Sequence, residues 1–176
     1  MTSRQKTLYV DTRRCMNCRA CETACKLENG VPAGPRWTMV TEVEVTQDGV
    51  DKTMFLPMPC LHCGDPACLK ACPTGAISKR TVDGIVLVDK EKCIGCRQCL
   101  WACQFGVPQF GPDNKMEKCT LCVHRFDDGL TETACQKACQ AEAIMVGTVD
   151  EISKAIRERY ATSSRNQLFG NGILGR

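Results

Sequence analysis

The sequence predicts a small α+β protein in which one short, cysteine-rich unit is used four times. Sixteen of the 176 residues are cysteine, against only 2 Trp, 2 Tyr and 5 Phe. A chain of this composition builds its interior around sulfur, either as disulfides or as metal sites. All the cysteines fall into four sets of four with related spacing, and short β-rich runs lie between short helical segments around them.

The four cysteine sets, which we name motifs I to IV, are variants of one spacing. Motifs I and III read C-x2-C-x2-C-x3-C, motif II widens the middle gap to four residues, and motif IV widens it to twelve. Motif I is Cys15, Cys18, Cys21 and Cys25; motif II is Cys60, Cys63, Cys68 and Cys72; motif III is Cys93, Cys96, Cys99 and Cys103; motif IV is Cys119, Cys122, Cys135 and Cys139. They end alike, in CETAC, CLKAC, CLWAC and CQKAC. Similarity of this kind indicates an internal repeat.

The spacing predicts iron–sulfur clusters. Three cysteines at two-residue intervals wrap a loop around a small object, and the fourth falls on the helix that leaves the loop. In bacterial ferredoxins this run holds [4Fe–4S] clusters, and its fourth cysteine ligates the neighbouring cluster, so the motifs should work in pairs. Four tetrahedral zinc sites are the alternative, but zinc sites usually combine two separated CxxC pairs. We therefore predict four [4Fe–4S] clusters ligated by all sixteen cysteines.

The secondary structure around the motifs is predicted from short patterns. Strands are predicted at Thr7–Asp11, Ile85–Asp89 and Ile144–Gly147. Residues 38–46 and 52–56 flank Gln47-Asp48-Gly49 and predict a β-hairpin. A C-terminal helix is predicted with Asp150 as its N-cap and an apolar stripe through Ile152, Ile156 and Tyr160. The tail, residues 166–176, is either a frayed end or an arm that docks on a partner.

Charge and hydropathy restrict the class of partner and the compartment. The formal charge is +3, but the basic residues are scattered, and four cysteine-ligated 2+ cores would bring the loaded chain to about −5. Nucleic acid is therefore not an expected partner. No signal peptide is visible, and no run approaches the ~20 apolar residues that span a bilayer. We expect a cytoplasmic protein, exported or membrane-associated only if a partner carries the signal, and in such a reducing compartment eight disulfides are disfavoured.

Several sequence blocks resemble a known family. They are ENGVPAGPRW (28–37), FLPMPCLHCGDPACLKACPTGAI (55–77), DGIVLVDKEKCIGCRQC (83–99) and KCTLCVHR (118–125). From Val10 to Ile144 the chain resembles the four-cluster, ferredoxin-like electron-transfer subunits of molybdenum and tungsten oxidoreductases. These subunits accompany dimethyl-sulfoxide, polysulfide, tetrathionate and arsenate reductases and formate dehydrogenases.

The resemblance implies two ferredoxin-like units, one inserted in the other. Residues 1–58 and 105–148 would form the outer unit, 59–104 the inner unit, and 149–176 a C-terminal helix and tail. The family also implies four ligand sets in which the fourth cysteine is exchanged between paired motifs. We name these sets site I (Cys15, Cys18, Cys21 with Cys139), site IV (Cys119, Cys122, Cys135 with Cys25), site II (Cys60, Cys63, Cys68 with Cys103) and site III (Cys93, Cys96, Cys99 with Cys72).

The implied function is electron transfer by a subunit that is not itself an enzyme. Its partners would be a large catalytic subunit with a tungsten or molybdenum pterin cofactor and a further ferredoxin, flavoprotein or quinone-linked subunit. The stretch GTVDEISKAIRERYA (147–161) looks more like the small subunits of tungsten aldehyde oxidoreductases and benzoyl-CoA reductases, which we favour slightly. The alternatives are a membrane-linked molybdopterin reductase of the dimethyl-sulfoxide or polysulfide type, a free polyferredoxin, and, from a different class, a zinc-binding structural protein.

Four other side chains near the motifs invite a role. His62 and His124 lie beside complete cysteine sets, so hydrogen bonding or packing is expected in preference to ligation, with proton-coupled tuning of a cluster as the alternative. Trp37 and Trp101 are expected to pack over clusters, with a role as aromatic side chains on the electron path as the alternative.

The residue after the fourth cysteine varies between motifs. Proline follows it only at Pro73, whereas the other motifs have Lys26, Gln104 and Gln140. A residue with an N–H can donate a hydrogen bond toward cluster sulfur, which stabilises the reduced state. We predict that the clusters differ in reduction potential partly for this reason.

Overall fold

The computed structural model describes residues 4–169, apart from the side chains of Gln47 and of residues 165–169. Within that range eight short strands pair into four antiparallel ribbons. The strands are β1 (Lys6–Val10), β2 (Val40–Gln47), β3 (Val50–Pro57), β4 (Ile77–Lys79), β5 (Val86–Val88), β6 (Gln109–Phe110), β7 (Met116–Glu117) and β8 (Ile144–Thr148). The helices are α1 (Ala20–Asn29), α2 (Ala67–Lys70), α3 (Gln98–Ala102), α4 (Val123–Asp127), α5 (Ala134–Lys137) and α6 (Val149–Phe169).

The first strand pairs with the last. β1 and β8 are antiparallel in a register that runs from Lys6↔Thr148 to Val10↔Ile144, and β4 pairs with β5 between motifs II and III. Leu8 of β1 and Ile144 of β8 are buried in a core cluster together with cysteines of motifs I and IV. The β1–β8 ribbon therefore brings the beginning of motif I next to the end of motif IV.

The predicted hairpin region forms the longest ribbon among the described residues. Gln47 pairs with Val50, which leaves a two-residue turn at Asp48-Gly49 with φ of 54° and 73°. Positive φ at both positions is the type I′ geometry that matches the twist of the strands. Most of the ribbon is exposed, and its base is held where the N–H of Val40 donates to Glu22 Oε1 at 2.7 Å.

The start of the C-terminal helix differs from the sequence prediction. The N–H of Glu151 donates to Thr148 Oγ1 at 3.3 Å, and the N–H of Thr148 donates to Glu151 Oε2 at 2.7 Å. This reciprocal pair is a capping box. Asp150 as the N-cap is therefore wrong, because Thr148 and Glu151, three residues apart, each accept the other's backbone N–H.

The apolar stripe of α6 is shorter than predicted. Ile152 is buried and Ile156 is half-buried, but Tyr160 is 73% exposed. The contact with the body continues instead through Arg159, which donates to the carbonyl oxygen of Glu142 at 2.8 Å. Residues 166–169 form the end of α6, and the rest of the predicted tail, 170–176, lies outside the described residues. Across residues 4–169, no helix combines the length and apolar character needed to cross a bilayer.

Candidate metal–sulfur centres

The cysteine loops of motifs I and III share one backbone geometry. In motif I, Asn17 and Arg19 both have φ of 57°, and the equivalent Gly95 and Arg97 of motif III have φ of 71° and 63°. These left-handed residues fold each C-x2-C-x2-C run into a tight loop. Glycine is required at position 95, because a Cβ there would lie 2.5 Å from the carbonyl oxygen of Asn114.

Three of the four predicted ligand sets each line one cavity. The cysteines of site III line a cavity together with Phe110 and Met116, and those of site II line a second one with Val86 and Lys118. The cysteines of site IV line a third, with Asn29 and Thr133. In all three, the fourth cysteine comes from the other motif of the predicted pair.

The remaining set is more open. Cys15, Cys21 and Cys139 of site I pack in the same core cluster, whereas Cys18 is exposed and lies outside that cluster. The structure therefore brings together three of the four predicted members of site I.

The sulfur atoms are unbridged and placed as hydrogen-bond acceptors. All sixteen cysteines are free. Backbone N–H groups of Leu121, Met116 and Ala143 donate to the Sγ atoms of Cys119, Cys93 and Cys139 at 3.2–3.3 Å. Such donors favour the thiolate, the form that ligates metal. Four cysteine sulfurs around one cavity are the donor set of a [4Fe–4S] cluster, so the residues fit that group. Within residues 4–169, no three His, Cys, Asp or Glu side chains are arranged to hold a single metal ion.

Burial dominates the acidity of these thiols. Burial, and next the neighbouring Cys135, raises the pKa of Cys21 to about 12. Burial also raises the pKa of Cys25 to about 12, partly opposed by the hydrogen bond that Asn29 Nδ2 donates to its Sγ. The pKa of the fully enclosed Cys119 is raised well above the usual value, again by burial first. Because iron binds the thiolate, loading of these sites displaces protons from the buried cysteines.

The packing of the core orders the sites in space. Cys21 of site I and Cys135 of site IV are buried in one core cluster. Cys119 of site IV and Cys60 of site II are buried in a second. Cys68 of site II packs against a third, which contains Cys99 of site III. The order of neighbours is therefore I, IV, II, III.

The two terminal sites are the ones that contain an exposed cysteine. Cys18 and Cys96 are the exposed cysteines among the sixteen. Each lies in a motif with large exposed apolar side chains: Met16 and Leu27 with motif I, and Ile94 and Trp101 with motif III. The predicted packing of Trp101 over a cluster is wrong, because its side chain is 81% exposed on α3. Trp37 does pack against the buried core residues Cys60 and Cys119, which are predicted cluster ligands. Its Nε1–H donates to Glu117 Oε2 at 3.0 Å.

The two histidines occupy different environments. His62 is fully buried, and its Nδ1 accepts the N–H of Val86 at 3.0 Å, which leaves the ring proton on Nε2. Burial, followed by the nearby Lys118 and Lys79, holds the pKa of His62 well below its usual value. The ring is therefore neutral, and its role is packing and hydrogen bonding. His124 has an exposed side chain, and its Nε2 lies 2.8 Å from Glu28 Oε1.

Sequence reasoning missed three polar side chains at the sites. The Oγ1 of Thr133 lies 3.3 Å from Cys135 Sγ, and Asn29 Nδ2 lies 3.8 Å from Cys25 Sγ and 3.9 Å from Cys122 Sγ. Lys118 is 3% exposed and lines the site II cavity. Proximity in sequence was the available signal, because each of the three lies within four residues of a cysteine.

Lys26, which follows the fourth cysteine of motif I, does not have the predicted role. It lies inside α1, where its N–H belongs to the helical hydrogen bonding and not to a sulfur. The prediction of an N–H donor to cluster sulfur therefore fails at this position.

Comparison with known proteins agrees with this geometry. The 4Fe-4S dicluster domain profile matches residues 51–149, and a second profile of the same description matches residues 14–76. A subunit of the sulfite dehydrogenase of Allochromatium vinosum is 39% identical over 180 residues, which cover 88% of this chain and 75% of that protein. The formate dehydrogenase iron-sulfur subunit of Wolinella succinogenes is 37% identical over 174 residues, covering 86% and 85%. An iron-sulfur subunit assigned to dimethyl sulfoxide reductase in Halobacterium salinarum is 32% identical over 193 residues, covering 92% and 73%.

These matches confirm the cofactor predicted from the cysteine spacing, and the zinc-binding alternative finds no support in them. The fold is a mixture of helices and strands with two ferredoxin-like 4Fe-4S domains. The chain belongs to the four-cluster, ferredoxin-like iron–sulfur subunits of molybdenum oxidoreductases, carries four [4Fe–4S] clusters, and serves electron transfer without being a catalytic subunit itself.

Proposed function

We propose that the chain relays single electrons between a catalytic subunit that contains a molybdenum pterin cofactor and a second redox partner. A [4Fe–4S] cluster supplies one-electron oxidation and reduction. The observation that carries the proposal is the order of the sites. A cysteine of each set packs in the same core cluster as a cysteine of the next set, and the exposed cysteines, Cys18 and Cys96, belong to the two terminal sets.

The proposed ligands are the four sets implied by the family, in which motif I exchanges its fourth cysteine with motif IV and motif II with motif III. The composition of the three cavities supports sites II, III and IV. The packing of Cys21 with Cys139 supports site I.

The exchange also supports the nested arrangement, with 1–58 and 105–148 as the outer unit and 59–104 as the inner unit. The β1–β8 ribbon joins the two parts of the outer unit, and the β4–β5 ribbon lies wholly within the inner one. In this arrangement the β2–β3 hairpin belongs to the outer unit, and residues 149–176 follow both units.

The names of the relatives favour molybdenum over tungsten for the catalytic partner. The three relatives are subunits of a sulfite dehydrogenase, a formate dehydrogenase and a dimethyl sulfoxide reductase, which favours the molybdopterin enzymes given above as the alternative. None of these three is a subunit of a tungsten aldehyde oxidoreductase or a benzoyl-CoA reductase. The stretch 147–161 that pointed to tungsten is accounted for by structure, because it forms the capping box and first turns of α6.

The second partner and the compartment are also part of the proposal. A ferredoxin, a flavoprotein or a quinone-linked subunit would each accept or supply single electrons at the exposed end opposite the catalytic subunit. Cysteines used as cluster ligands and not as disulfides are typical of a reducing compartment, so we propose the cytoplasm, with export only in a complex whose partner carries the signal. Cell fractionation with an antibody to the chain distinguishes these locations.

Native purification under oxygen-free conditions tests the function. We expect the chain to co-purify with a large subunit that contains molybdenum, and the chain itself to contain about 16 Fe and about 16 sulfide, as four cubane clusters require. Tungsten in the large subunit would overturn the choice of partner. A chain that elutes alone on size exclusion with all its iron would be a free polyferredoxin and would overturn the subunit role.

A further inference from the structure

Lys118 is a buried lysine that directly precedes the first cysteine of motif IV. Its side chain is enclosed, with 3% of the residue exposed, and Nζ donates to the carbonyl oxygens of Val86 and Cys119. Within residues 4–169 those two carbonyls are its hydrogen-bond partners, and no carboxylate pairs with it. Burying an ammonium group without a counter-charge is costly. The structure therefore holds a cation where a negative charge is expected nearby.

The surroundings of Lys118 identify that negative charge. The lysine lines the cavity enclosed by the four cysteines of site II. It also hydrogen-bonds the backbone of Cys119, a member of site IV, at 3.0 Å. Its charge acts on thiols of both sites, since it counteracts the effect of burial on the pKa of Cys68 and of Cys119. One ammonium group is thus placed between the two central sites.

We propose that Lys118 is a cation shared by the two central clusters and that its charge raises the reduction potential of both. The inference rests on the ligand sets of the proposed function. Each cluster becomes more negative by one charge when it accepts an electron, so a fixed cation beside it stabilises the reduced form more than the oxidised form. Enclosure strengthens the effect, because solvent does not screen the interaction.

The geometry around Val86 keeps the ammonium group in place. His62 Nδ1 accepts the Val86 N–H, and Lys118 donates to the Val86 carbonyl. Both polar groups of this buried strand residue are therefore used to fix the two side chains. His62 adds no second charge, because its Nδ1 accepts the Val86 N–H and so carries no proton.

Two other lysines provide matched controls. Lys79 is half-buried and donates to the carbonyls of Cys63 and Gly64 at 3.1 and 2.7 Å, so it lies beside site II and not beside site IV. Lys70 belongs to the same region of motif II but is exposed and pairs with Asp65. Removing the charge of Lys118 should therefore change the reduction potential of two clusters. Removing that of Lys79 should change one, and removing that of Lys70 should change none.

The experiment is a redox titration, followed by electron paramagnetic resonance, of the full chain in its native complex. The variants are Lys118→Met, Lys118→Arg, Lys79→Met and Lys70→Met, each first checked for unchanged iron and sulfide. We expect Lys118→Met to lower the equilibrium constant for reduction about tenfold in two of the four clusters, which is about 59 mV for a one-electron couple. Lys79→Met should cause a smaller decrease in one of the same two clusters. Lys70→Met should leave all four unchanged, and Lys118→Arg should keep the wild-type values.

The opposite results are equally distinct. Unshifted potentials in a fully loaded Lys118→Met protein, or an equal shift in all four clusters, would overturn the proposal. So would a Lys118→Arg protein that behaves like Lys118→Met. If Lys118→Met does not assemble its clusters, Lys118→Gln is the second neutral variant, because it keeps a hydrogen-bond donor without the charge. If both neutral variants lack clusters while Lys118→Arg contains all four, the lysine is required for cluster assembly, and the tuning role is overturned. Wild-type protein with fewer than four clusters would instead overturn the proposed ligand sets.

Discussion

Sites I and III, at the two ends of the series, differ from sites II and IV in the middle in their access to solvent. Each terminal site has an exposed cysteine, Cys18 or Cys96, whereas the central sites have none: the cysteines of site IV are all buried, and those of site II are buried or half-buried. The most exposed large apolar side chains within the motifs and their helices, Leu27 and Trp101, also belong to the terminal motifs. The same cysteine unit therefore has different solvent access according to whether its site lies at an end or in the middle of the order I, IV, II, III. The ends present an exposed thiol and exposed apolar side chains, and the middle presents no exposed thiol.

Loss of a central ligand should have the largest effect. Cys119 is enclosed and packs with Cys60 and Val107, so Cys119→Ser should lose its cluster, reducing iron from about 16 to about 12 per chain, and should loosen the core around it. Cys18→Ser, at the surface, should give a higher unfolding temperature than Cys119→Ser, because no core packing is lost. Iron analysis and thermal unfolding of both variants measure the contrast. Equal unfolding temperatures would show that a central ligand contributes no more to the packing of the core than a terminal one.

The exposed apolar side chains at the ends should determine partner binding. Replacing a central aromatic contact of an interface by alanine commonly weakens binding by at least about tenfold. We expect Trp101→Ala and Leu27→Ala each to weaken the complex with a different partner, with iron content unchanged. Binding measurements with the separated partners test this. If both variants weaken the same partner, the two ends are not separate docking surfaces.

Oxidation should distinguish ends from middle in a single sample. Oxidants reach cysteine according to its exposure, so clusters at Cys18 and Cys96 should be lost before the enclosed ones. Limited exposure to air should release iron in two phases, each about half of the total. The release is followed with an iron chelator, and a single phase would show that the exposed cysteines do not control access.

The residue after the fourth cysteine should give the smallest shift. Gln104 follows a ligand of central site II, whereas Pro73 follows a ligand of terminal site III. Gln104→Pro should remove an N–H donor and lower the potential of one central cluster by roughly 30 mV, about threefold in the equilibrium constant. Pro73→Gln is the matched change and should raise the potential of one terminal cluster. If neither variant changes a reduction potential, the residue after the fourth cysteine does not tune the clusters.

Much of the site could be predicted because cysteine spacing is local information. The same C-x2-C-x2-C loop recurs in motifs I and III, down to left-handed residues at equivalent positions, and the hairpin turn at Asp48-Gly49 follows from its own residue types. The exposed cysteines, Cys18 and Cys96, hold the same position in these two motifs. The pattern could not indicate that Trp101 faces solvent, because its exposure depends on what packs against α3.

Errors arose where a long-range contact decides the role of a residue and where a local pattern was misassigned. Lys118 has the sequence context of an ordinary basic residue until the fold places it between two sites. Asp150 was a reasonable cap by type, but Thr148 at the end of β8 was better placed for Glu151. The choice of tungsten relied on one stretch whose residues start a helix.

The pairing of β1 with β8 has a consequence for biosynthesis. About 130 residues separate the paired strands, so at 5–20 residues per second the N-terminal strand stays unpaired on the ribosome for roughly 7–26 s. With the proposed ligand sets, motif I also lacks Cys139 throughout that interval, while motifs II and III have already emerged together. Iron delivery would then proceed from the inner unit outward, and the thiols of motif I would be the ones most in need of a chaperone during translation.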